Sequence, residues 1–424
     1  MKLMMIGGGG REHALIKKLK ENPAITEIYA LPGNGGIARE GVTCLPIKAT
    51  DIAAQVEFAV KTGIDFAVVA PDDPLALGAV DALEAAGIPC FGPKKDAAII
   101  ESSKIFSKQL MEKYGIPTAA CRIFTEIEPA LAYVADCPLP TVVKADGLAL
   151  GKGVSICLTR DEAIDAVRSM MEDRTFGDSG SRIVIEEFLT GPEVSVLAFT
   201  DGTTLIPMAS SMDHKRALDG DAGLNTGGMG TIAPNPYYTE AIAAECMETI
   251  FLPTIKAMKA EGREFRGCLY FGLMLTPNGP KVIEYNCRFG DPETQVVLPL
   301  LDGDLLTIMQ AVRDGRLAEV SVGTKPGAAA CVIMASGGYP GSYEKGKAIT
   351  LPTDIPEYAH VIIAGAKLED ETLLTSGGRV LGAVAQGADL PQALQRAYAL
   401  ADNIHFEKAH YRRDIGKRAL EVCK

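Results

Sequence analysis

The chain has 424 residues, a formal net charge of −12 and 47% hydrophobic residues. This length predicts two to four domains, and the acidic balance argues against a nucleic-acid backbone or an anionic membrane as the main partner. No apolar run approaches a membrane span, and the start, MKLMMI, is too short for a signal peptide. The ten cysteines form no CxxC pair and no zinc spacing, so reduced thiols and a cytoplasmic location are expected.

The first hundred or so residues alternate between strand and helix patterns, which predicts an open parallel sheet. Strands are predicted at residues 3–6, 28–31, 42–47, 66–70 and 88–91. Loops at 7–10, 32–36 and 71–74 leave the carboxyl ends of these strands, where ligands of such sheets bind. The loop at 7–10 opens a helix over 11–20, whose first amides are suited to a phosphate.

This glycine loop does not carry the fingerprint of a dinucleotide site. In the two registers of G-x-G-x-x-G, the third glycine is replaced by Glu12 or by His13. The second strand also lacks the terminal acidic residue that would bind a ribose hydroxyl. A sugar monophosphate therefore fits better than NAD, with Arg11 or His13 as helpers, unless this pair is simply a solvent-facing helix start.

A change of composition at residues 115–117 predicts a domain crossing, followed by a compact α/β segment over 122–188. Its strand at 141–145 carries Lys144 and leads into a glycine-rich loop at 147–153. The spacing of this loop and the residue after its lysine differ from a Walker A loop. The loop is therefore either a lid over a triphosphate or an ordinary hairpin.

Residues 210–236 show neither a helical nor a strand period and are predicted to form a long irregular loop. Long loops in compact domains are functional or disordered, and the charges and glycines here favour a segment that orders around a ligand. His214 within it is either a general base or a hydrogen-bonding bridge. From about residue 322 a smaller α/β domain is predicted, with a strand at 328–334 and a helix at 390–400, and with no evident catalytic cluster.

The run EYNCRFGDPETQ, residues 284–295, is the densest set of polar groups in the chain. It ends a predicted strand hairpin whose turn contains Pro277, because apolar runs flank a cluster of turn formers there. Side chains alternate along a strand, so Glu284 and Asn286 share one face, with Arg288 on or near it. A carboxylate and an amide carbonyl suit Mg²⁺, which keeps waters and substrate phosphates as further ligands. The alternative is a hairpin whose polar face points to water.

Six segments together give the chain a resemblance to a known family. They are GGGGREHAL (7–15), PGNGG (32–36), KADGLALGKG (144–153), DHKR (213–216), NTGGMG (225–230) and EYNCRFGDPETQ (284–295). With them the chain resembles, over nearly its whole length, the phosphoribosylamine–glycine ligase family of the ATP-grasp superfamily. The resemblance implies ATP-dependent ligation of glycine to 5-phosphoribosylamine through a glycyl phosphate, giving glycinamide ribonucleotide, ADP and phosphate in de novo purine biosynthesis.

The resemblance also implies an α/β fold in several parts. A Rossmann-like open parallel sheet is expected first, then an ATP-grasp fold of two lobes and a small C-terminal α/β domain. The expected division is 1–103 for the phosphoribosylamine-binding domain, 104–121 with 189–324 for the large lobe and its metal site, 122–188 for the lid lobe, and 325–424 for the C-terminal domain. The chain departs from the family pattern at Asp72, within Pro-Asp-Asp-Pro-Leu instead of Pro-Glu-Ala-Pro-Leu, and at Leu224 in place of a proline.

The site residues implied by the resemblance fall into four groups. The ATP-binding residues are Lys104, Lys144, Glu186, Glu187, Phe188, Leu189, Glu193, Arg216 and Asn225, and the metal ligands are Glu284 and Asn286. The substrate-binding residues are Gly8, Gly9, Gly10, Arg11, Pro32, Gly33, Asn34 and Asp72. The catalytic group consists of Arg288, Asp291, Glu293 and Asp213.

Arg288 is expected to hold the transferring phosphoryl group, because its planar fork matches such oxygens. Asp291 or Glu293 is expected to accept or position protons of the attacking amine, although Asp291 alternatively caps the turn before Pro292. The expected cofactors are ATP and Mg²⁺, with Mn²⁺ as a substitute. The expected partners are glycine and 5-phosphoribosylamine, without nucleic acid or membrane, for a monomeric enzyme.

Two other functions are compatible with parts of the pattern. Another ATP-grasp ligase, or a carboxylase, would share the lysines and the magnesium strand but leaves the GGGGREH loop unexplained. A non-catalytic nucleotide-binding protein or a dinucleotide oxidoreductase conflicts with the failed NAD fingerprint and with the full set of charged groups.

Overall fold

The structure is a computed structural model that describes residues 1–148, 153–173, 175 and 177–422. The predicted lid loop therefore lies largely outside the described residues, Lys152 included. Among the residues that are described, no helix combines the length and the apolar character needed to cross a membrane.

The N-terminal residues form a parallel sheet with strand order β3-β2-β1-β4-β5, which confirms the predicted open sheet. Its elements are β1 (Lys2–Gly7), α1 (Gly10–Leu19), β2 (Glu27–Pro32), α2 (Gly35–Arg39), β3 (Thr43–Cys44), α3 (Ile52–Thr62), β4 (Phe66–Val69), α4 (Asp72–Leu77), α5 (Ala79–Ala85), β5 (Cys90–Phe91), α6 (Lys95–Ser102) and α7 (Lys104–Tyr114). Leu3 and Met5 pack into one core and Met4 and Ile6 into another. Burial of both faces explains the unbroken apolar run of β1.

The predicted compact segment after residue 121 is confirmed as a four-stranded antiparallel sheet of order β6-β9-β7-β8 with two helices. Its elements are β6 (Cys121–Phe124), α8 (Ile127–Asp136), β7 (Thr141–Ala145), β8 (Val154–Cys157), α9 (Arg160–Met171) and β9 (Ile183–Glu187). Both helices contribute to its core, where Val134 and Val167 pack with Val143 and Ile185. A capping box of Thr159 and Glu162 begins α9.

A second antiparallel sheet, β11-β10-β16-β17, carries the predicted metal-binding strand at its edge. The elements of this part of the chain are β10 (Glu193–Thr200), β11 (Leu205–Pro207), β12 (Met212–Asp213), β13 (Arg216–Leu218), β14 (Ala222–Asn225), β15 (Gly230–Ala233), α10 (Glu240–Cys246), α11 (Leu252–Ala260), β16 (Gly267–Thr276) and β17 (Gly279–Asn286). The predicted turn between the last two strands is confirmed.

The expectation of an irregular loop over residues 210–236 is wrong, because four short strands, β12 to β15, lie within it. β13 and β14 pair with each other as a hairpin, whereas β12 pairs with β15. Each strand has only two to four residues, which is too short for a period to be visible in the sequence.

The C-terminal part forms an antiparallel sheet of order β12-β15-β20-β24-β21, so it includes two strands from the preceding part of the chain. The remaining elements are α12 (Thr294–Val297), β18 (Leu301–Asp302), α13 (Leu305–Asp314), β19 (Gly323–Thr324), β20 (Ala328–Ala335), β21 (Ala359–Ile363), β22 (Ala366–Glu369), β23 (Thr372–Thr375), β24 (Arg379–Gly387), α14 (Leu390–Ala401) and α15 (Lys417–Val422). The shared sheet joins the C-terminal part firmly to the middle of the chain.

A segment near the end of the chain fastens the β13–β14 hairpin. The Arg412 side chain is 1% exposed, donates from Nε and Nη2 to the Asp414 carboxylate and donates from Nη1 to the Arg216 carbonyl. Arg412 Nη1 also lies 2.9 Å from Asp221 Oδ1, and Asp414 in turn accepts from the Gly220 amide. The buried Arg412 guanidinium thus contacts Arg216 in β13 and Asp221 just before β14, so it holds both sides of the hairpin connection.

We expect Arg412→Ala to lower the free energy of unfolding by about 3 kcal/mol, because it leaves two carboxylates without their buried partner. Urea denaturation followed by circular dichroism measures this. Arg413→Ala is the matched control, because Arg413 is exposed and pairs with the exposed Asp402. That exposed pair is worth less than about 1 kcal/mol. Equal losses in the two variants would show that the buried contacts of Arg412 are not what stabilises this segment.

Candidate active site

β17 places the predicted metal ligands as strand alternation requires. Glu284 and Asn286 lie on one face, and Tyr285 between them is buried, with its hydroxyl 2.9 Å from Thr254 Oγ1. The Glu284 side chain is 36% exposed, and Lys215 Nζ lies 3.7 Å from its Oε1. This face is therefore accessible, and it carries the negative charge of Glu284 beside the positive charge of Lys215.

The electrostatics of Glu284 suit a metal ligand. Burial raises the pKa of this carboxyl group, but the charges of Lys215, Lys144 and Lys104 outweigh it and hold the pKa below its usual value. An ionised carboxylate and an amide oxygen two residues apart fit the oxygen preference of Mg²⁺. No cluster of three or more His, Cys, Asp or Glu side chains able to hold a metal occurs among the described residues. An ion on Glu284 and Asn286 would therefore take its remaining ligands from nucleotide phosphates and water.

The predicted phosphate-binding lysines approach this strand from two other elements. Lys144, on β7, donates to the Ile283 carbonyl of β17 over 3.1 Å. Lys104, the first residue of α7, donates to the Gly147 carbonyl over 2.8 Å. Burial lowers the pKa of Lys104, an effect that the Glu284 carboxylate opposes. The structure thus brings both lysines next to the metal face.

Sequence reasoning missed a third lysine, Lys108. It is buried, donates to Thr118 Oγ1 over 2.8 Å, and has its Nζ 3.2 Å from Glu186 Oε1. The other oxygen of Glu186 lies 3.0 Å from Lys144 Nζ. The Glu186 carboxylate therefore lies between two ammonium groups and orients Lys144. The spacing of Lys108 four residues after Lys104, one helical turn away on the same face, was the available signal.

The predicted adenine-binding segment lies in the connection from β9 to β10. Glu187 Oε1 accepts from the Ala120 amide and from Lys281 Nζ. The next side chain, Phe188, is exposed, and Leu189 is partly exposed. Exposed apolar groups in the connection between two sheets offer a flat surface on which a nucleobase can pack.

The β13–β14 hairpin brings together two residues predicted at the phosphate end. Arg216 and Asn225 are direct partners in the antiparallel register. Arg216 Nη1 donates to the Gly223 carbonyl, and Lys215, just before the strand, lies 3.7 Å from both Glu193 Oε2 and Glu284 Oε1. Burial lowers the pKa of Lys215, but these two carboxylates outweigh it and raise that pKa well above its usual value. Lys215, missed as a site residue, thus connects the hairpin to the metal face.

Arg288 lies at a junction of carboxylates. Its Nη2 lies 3.0 Å from Glu101 Oε1, 3.2 Å from Asn286 Oδ1 and 4.0 Å from Asp72 Oδ2. Glu101, which the sequence did not indicate, also accepts from the Cys287 amide. Arg288 Nε is buried and has no hydrogen-bond partner among the described residues. Arg288 is thus held by carboxylates from the N-terminal part of the chain and by the amide oxygen of Asn286.

The three carboxyl groups of the predicted catalytic group differ in environment. Arg379 and Arg11 outweigh burial and lower the pKa of Asp291, which accepts from the Arg11 amide and from Gln295 Nε2. Burial raises the pKa of Glu293. Burial and the nearby Glu293 charge raise the pKa of Asp213 well above its usual value. Asp291 is thus held in its ionised form by its cationic neighbours and binds the start of α1, whereas burial favours the neutral form of Glu293 and of Asp213.

The glycine loop at 7–10 packs tightly on the second predicted loop. A Cβ on Gly8 would lie 2.3 Å from the Gly33 carbonyl oxygen, and Gly33 itself has a φ of +73°. Asn34 is the N-cap of α2, and its Nδ2 donates to the carbonyls of Gly8 and of Ile363 in β21. Only glycine therefore fits at positions 8 and 33. Asn34 links the two loops to the C-terminal part of the chain.

The protein's own carboxylates occupy part of this loop. Glu12 accepts from the Gly9 amide and also from Arg11 Nε, and Arg11 Nη1 donates to the Phe289 carbonyl. His13 is buried, and its Nδ1 accepts from the Ile363 amide. Both predicted helpers are thus engaged in contacts between parts of the chain, and the alternative of a solvent-facing helix start is wrong.

A cation missed by sequence reasoning comes from the C-terminal part. Arg379, the first residue of β24, donates from Nη1 to the carbonyls of Gly227 and Asp291, both over 2.7 Å. Nothing around Arg379 in the sequence indicated a site. The expectation that the C-terminal domain has no catalytic cluster of its own is compatible with this, because Arg379 acts on residues from the middle of the chain.

His214 is a bridge and not a base. It is buried, its Nε2 accepts from the Gly416 amide over 3.0 Å, and its Nδ1 lies 3.1 Å from the Gly230 carbonyl oxygen. These partners require a neutral ring protonated at Nδ1. Burial, with the nearby Arg412 charge, lowers the pKa of His214 to about 4.

Models of one enzyme family match almost the whole chain. The model described as "Phosphoribosylglycinamide synthetase, N domain" matches residues 1–101, the "ATP-grasp (A) domain" model matches 102–294, and the "C domain" model matches 329–418. The chain is 49% identical over 423 residues to the phosphoribosylamine–glycine ligase of Vibrio cholerae, with 99% of each chain covered. It is 46% identical to that of Listeria monocytogenes, over 99% of this chain and 100% of the relative.

Solved structures show the same similarity. The crystal structure of the phosphoribosylamine–glycine ligase from Thermotoga maritima superposes with a TM-score of 0.86 at 34% identity, over 98% of this chain and 100% of that one. The biotin carboxylase domain of the Hydrogenobacter thermophilus 2-oxoglutarate carboxylase superposes with a TM-score of 0.75 at 15% identity, over 100% of this chain and 94% of that one. This second likeness shows a shared fold.

The low pKa of His214 predicts a pH dependence of stability. The folded state holds the His214 ring neutral. The contribution of His214 to the free energy of unfolding is therefore complete above the ordinary pKa of 6.5 and is lost as the pH falls towards 4. The loss is on the order of 3 kcal/mol. We expect His214→Gln to show a smaller decrease in the free energy of unfolding between these two pH values, measured by urea denaturation. His405→Gln, at an exposed position, is the control, and an unchanged pH dependence in His214→Gln would contradict the assignment.

Proposed function

The chain belongs to the phosphoribosylamine–glycine ligase family, and from this premise we propose how its cleft performs the reaction of that family. The chain is an ATP-dependent ligase of purine biosynthesis that joins glycine to 5-phosphoribosylamine. The observation that carries the proposal is the meeting of one anionic oxygen ligand, Glu284, with lysines from three different elements: Lys104, Lys144 and Lys215.

The proposed domain division is that of the sequence analysis. Residues 1–103 bind phosphoribosylamine, 104–121 with 189–324 form the large ATP-grasp lobe, 122–188 form the lid lobe and 325–424 form the C-terminal domain. Three sheets support it: the parallel sheet falls within the first unit, the β11-β10-β16-β17 sheet within the second, and the β6-β9-β7-β8 sheet, apart from Cys121, within the third. ATP then lies between the sheet that carries Lys144 and the sheet that carries Glu284.

Within that cleft the ATP contacts follow from side-chain chemistry. Phe188 and Leu189 provide the apolar surface for adenine, beside Glu186 and Glu187, and Glu193 begins the next strand where the ribose lies. The phosphates are neutralised by Lys104 and Lys144 and bounded by Arg216 and Asn225 of the hairpin. Mg²⁺ on Glu284 and Asn286 supplies neutralisation of the phosphate oxygens, and Mn²⁺ takes its place with the same oxygen ligands.

Activation of glycine needs this charge, because a carboxylate is a poor electrophile until it becomes an acyl phosphate. Arg288 holds the transferring phosphoryl group through its donors, and Asp72 and Glu101 fix the guanidinium from the side of the N-terminal sheet. The resulting glycyl phosphate has its leaving group next to the Arg288 guanidinium.

The amine of phosphoribosylamine then attacks as the neutral base. Glu293 and Asp213 accept the proton that the nitrogen loses, because burial raises the pKa of both and a higher pKa makes a carboxylate a stronger base. Asp291 positions the loop by binding the start of α1. The sugar lies near Gly8, Gly9, Gly10 and Arg11, with Pro32, Gly33 and Asn34 forming the opposite wall.

We also propose that the chain acts as a cytoplasmic monomer, with small-molecule substrates and without a nucleic-acid partner. The free thiols of the described cysteines and the net charge of −12 support this.

The experiment that tests the function measures ADP release with glycine and freshly generated phosphoribosylamine, omitting each in turn. We expect release only with both substrates, in step with glycinamide ribonucleotide formation. Bicarbonate-dependent release without glycine would indicate a carboxylase. Tight NADH binding without ATP turnover would indicate an oxidoreductase.

We expect Glu284→Gln to reduce turnover by roughly two orders of magnitude or more, because it removes a charge from a preorganised ligand without changing its shape. The assay is ADP release at limiting Mg²⁺, with circular dichroism to show that the fold is kept. Glu245→Gln is a control on the surface near the turn before β17. Near-normal turnover of Glu284→Gln at limiting Mg²⁺ would exclude Glu284 as a metal ligand.

A further inference from the structure

Two buried side chains from neighbouring strands, Ser195 and Tyr270, form a hydrogen-bonded chain that ends on the buried Glu293 at the start of α12. Ser195 of β10 has its Oγ 2.7 Å from the hydroxyl of Tyr270 in β16. The Tyr270 hydroxyl donates to Glu293 Oε1 over 3.3 Å. All three residues are at most 6% exposed. Because Tyr270 donates its only proton to Glu293, the serine is the donor in the first bond.

The chain lies against the cleft and not in a remote core. Ser195 and Tyr270 line a small cavity together with Glu193, Lys215 and Glu284. Tyr270 thus lines a cavity with residues of the proposed ATP and metal sites and also binds Glu293. The charged groups around the Glu293 carboxyl are Asp213, Lys215, Arg288, Asp291 and Arg379.

The Tyr270 hydroxyl binds one oxygen of Glu293, and the backbone of Glu293 contributes a second hydrogen bond to the same carboxyl group. Lys215 and Arg288 attract the carboxylate and Asp291 repels it, so the bond from Tyr270 adds a direction that these charges do not supply. Burial keeps the Tyr270 phenol protonated and therefore a donor, since its pKa is raised well above the usual value. The hydroxyl thus supplies direction and not charge.

We propose that Tyr270, oriented by Ser195, is a positioning residue that aims Glu293 at the amine in the second half of the reaction. This rests on the proposed role of Glu293. In that step the amine nitrogen forms a bond to the acyl carbon of glycyl phosphate, the bond from that carbon to the phosphate oxygen breaks, and phosphate leaves with the electron pair. The proton lost by nitrogen goes to the carboxyl pair of Glu293 and Asp213.

The test separates the two halves of the reaction. If Tyr270 acts only after glycyl phosphate has formed, Tyr270→Phe continues to cleave ATP but captures the intermediate poorly. We expect product formation to fall by about ten-fold, with more than one ADP released per product and an unchanged KM for ATP. Ser195→Ala also lowers product formation and raises the amount of ADP released per product. The double variant is no worse than Tyr270→Phe alone, because both act through one hydrogen-bond chain.

Tyr114→Phe is the matched control, because it removes a tyrosine-to-glutamate hydrogen bond of the same kind, to Glu261, away from the cleft. It should leave turnover and the ratio of ADP to product at the values of the unmodified protein. A ratio of one in Tyr270→Phe, or losses that multiply in the double variant, would overturn the inference. Full coupling in Glu293→Gln would instead disprove the proposed proton acceptor, and the absence of any glycine-dependent ADP release would disprove the proposed function.

Discussion

The arrangement of the site depends on the contacts of the Asp291 carboxylate. This carboxylate accepts from the first turn of α1 in the N-terminal sheet and from Gln295 at the start of α12, and it lies 3.6 Å from Arg379 of the C-terminal sheet. Removing one partner of such a buried set leaves the others uncompensated, so the groups are held as a unit. The start of α1, the start of α12 and the C-terminal sheet are therefore linked through this one anion.

Neighbouring carboxyl groups also differ in their pKa shifts because their partners differ. The charges of Arg379 and Arg11 outweigh burial at Asp291, whereas at Glu293 burial outweighs the charges of Lys215 and Arg288. Burial favours the neutral form of a carboxyl group, and an adjacent cation favours the charged form. One short run of sequence therefore provides both a permanent anion and a group able to exchange a proton. The difference lies in the partners and not in the residue types.

Much of the fold was predictable because its signals are local. The strands around Met4 and Val143 are buried on both faces or alternate clearly, and the hairpin before Glu284 has a dense turn signal. The metal face followed from period 2 alone. Lys104, Lys144, Glu284 and Asn286 meet as the resemblance implied, since those motifs are specific.

The missed features depend on contacts distant in sequence. β12 and β15 are strands only because β20 pairs with the second of them, about one hundred residues later. Glu101, Arg379 and Lys108 look like ordinary surface charges in the sequence, and only their burial against the site gives them a role. The same holds for His13, whose ring is covered by β21.

The contacts of Arg412 and Asp414 that fasten the β13–β14 hairpin have a consequence for the order of folding. Gly220 and Asp414 are 194 residues apart, and the parts of two sheets lie between them. Contacts at such separation form late, because the loop-closure entropy must be overcome before they contribute. The hairpin can therefore be fastened only after the C-terminal sheet has folded. A chain still being synthesised thus completes the antiparallel sheet that carries Lys144 well before the β13–β14 hairpin is held in place by Asp414.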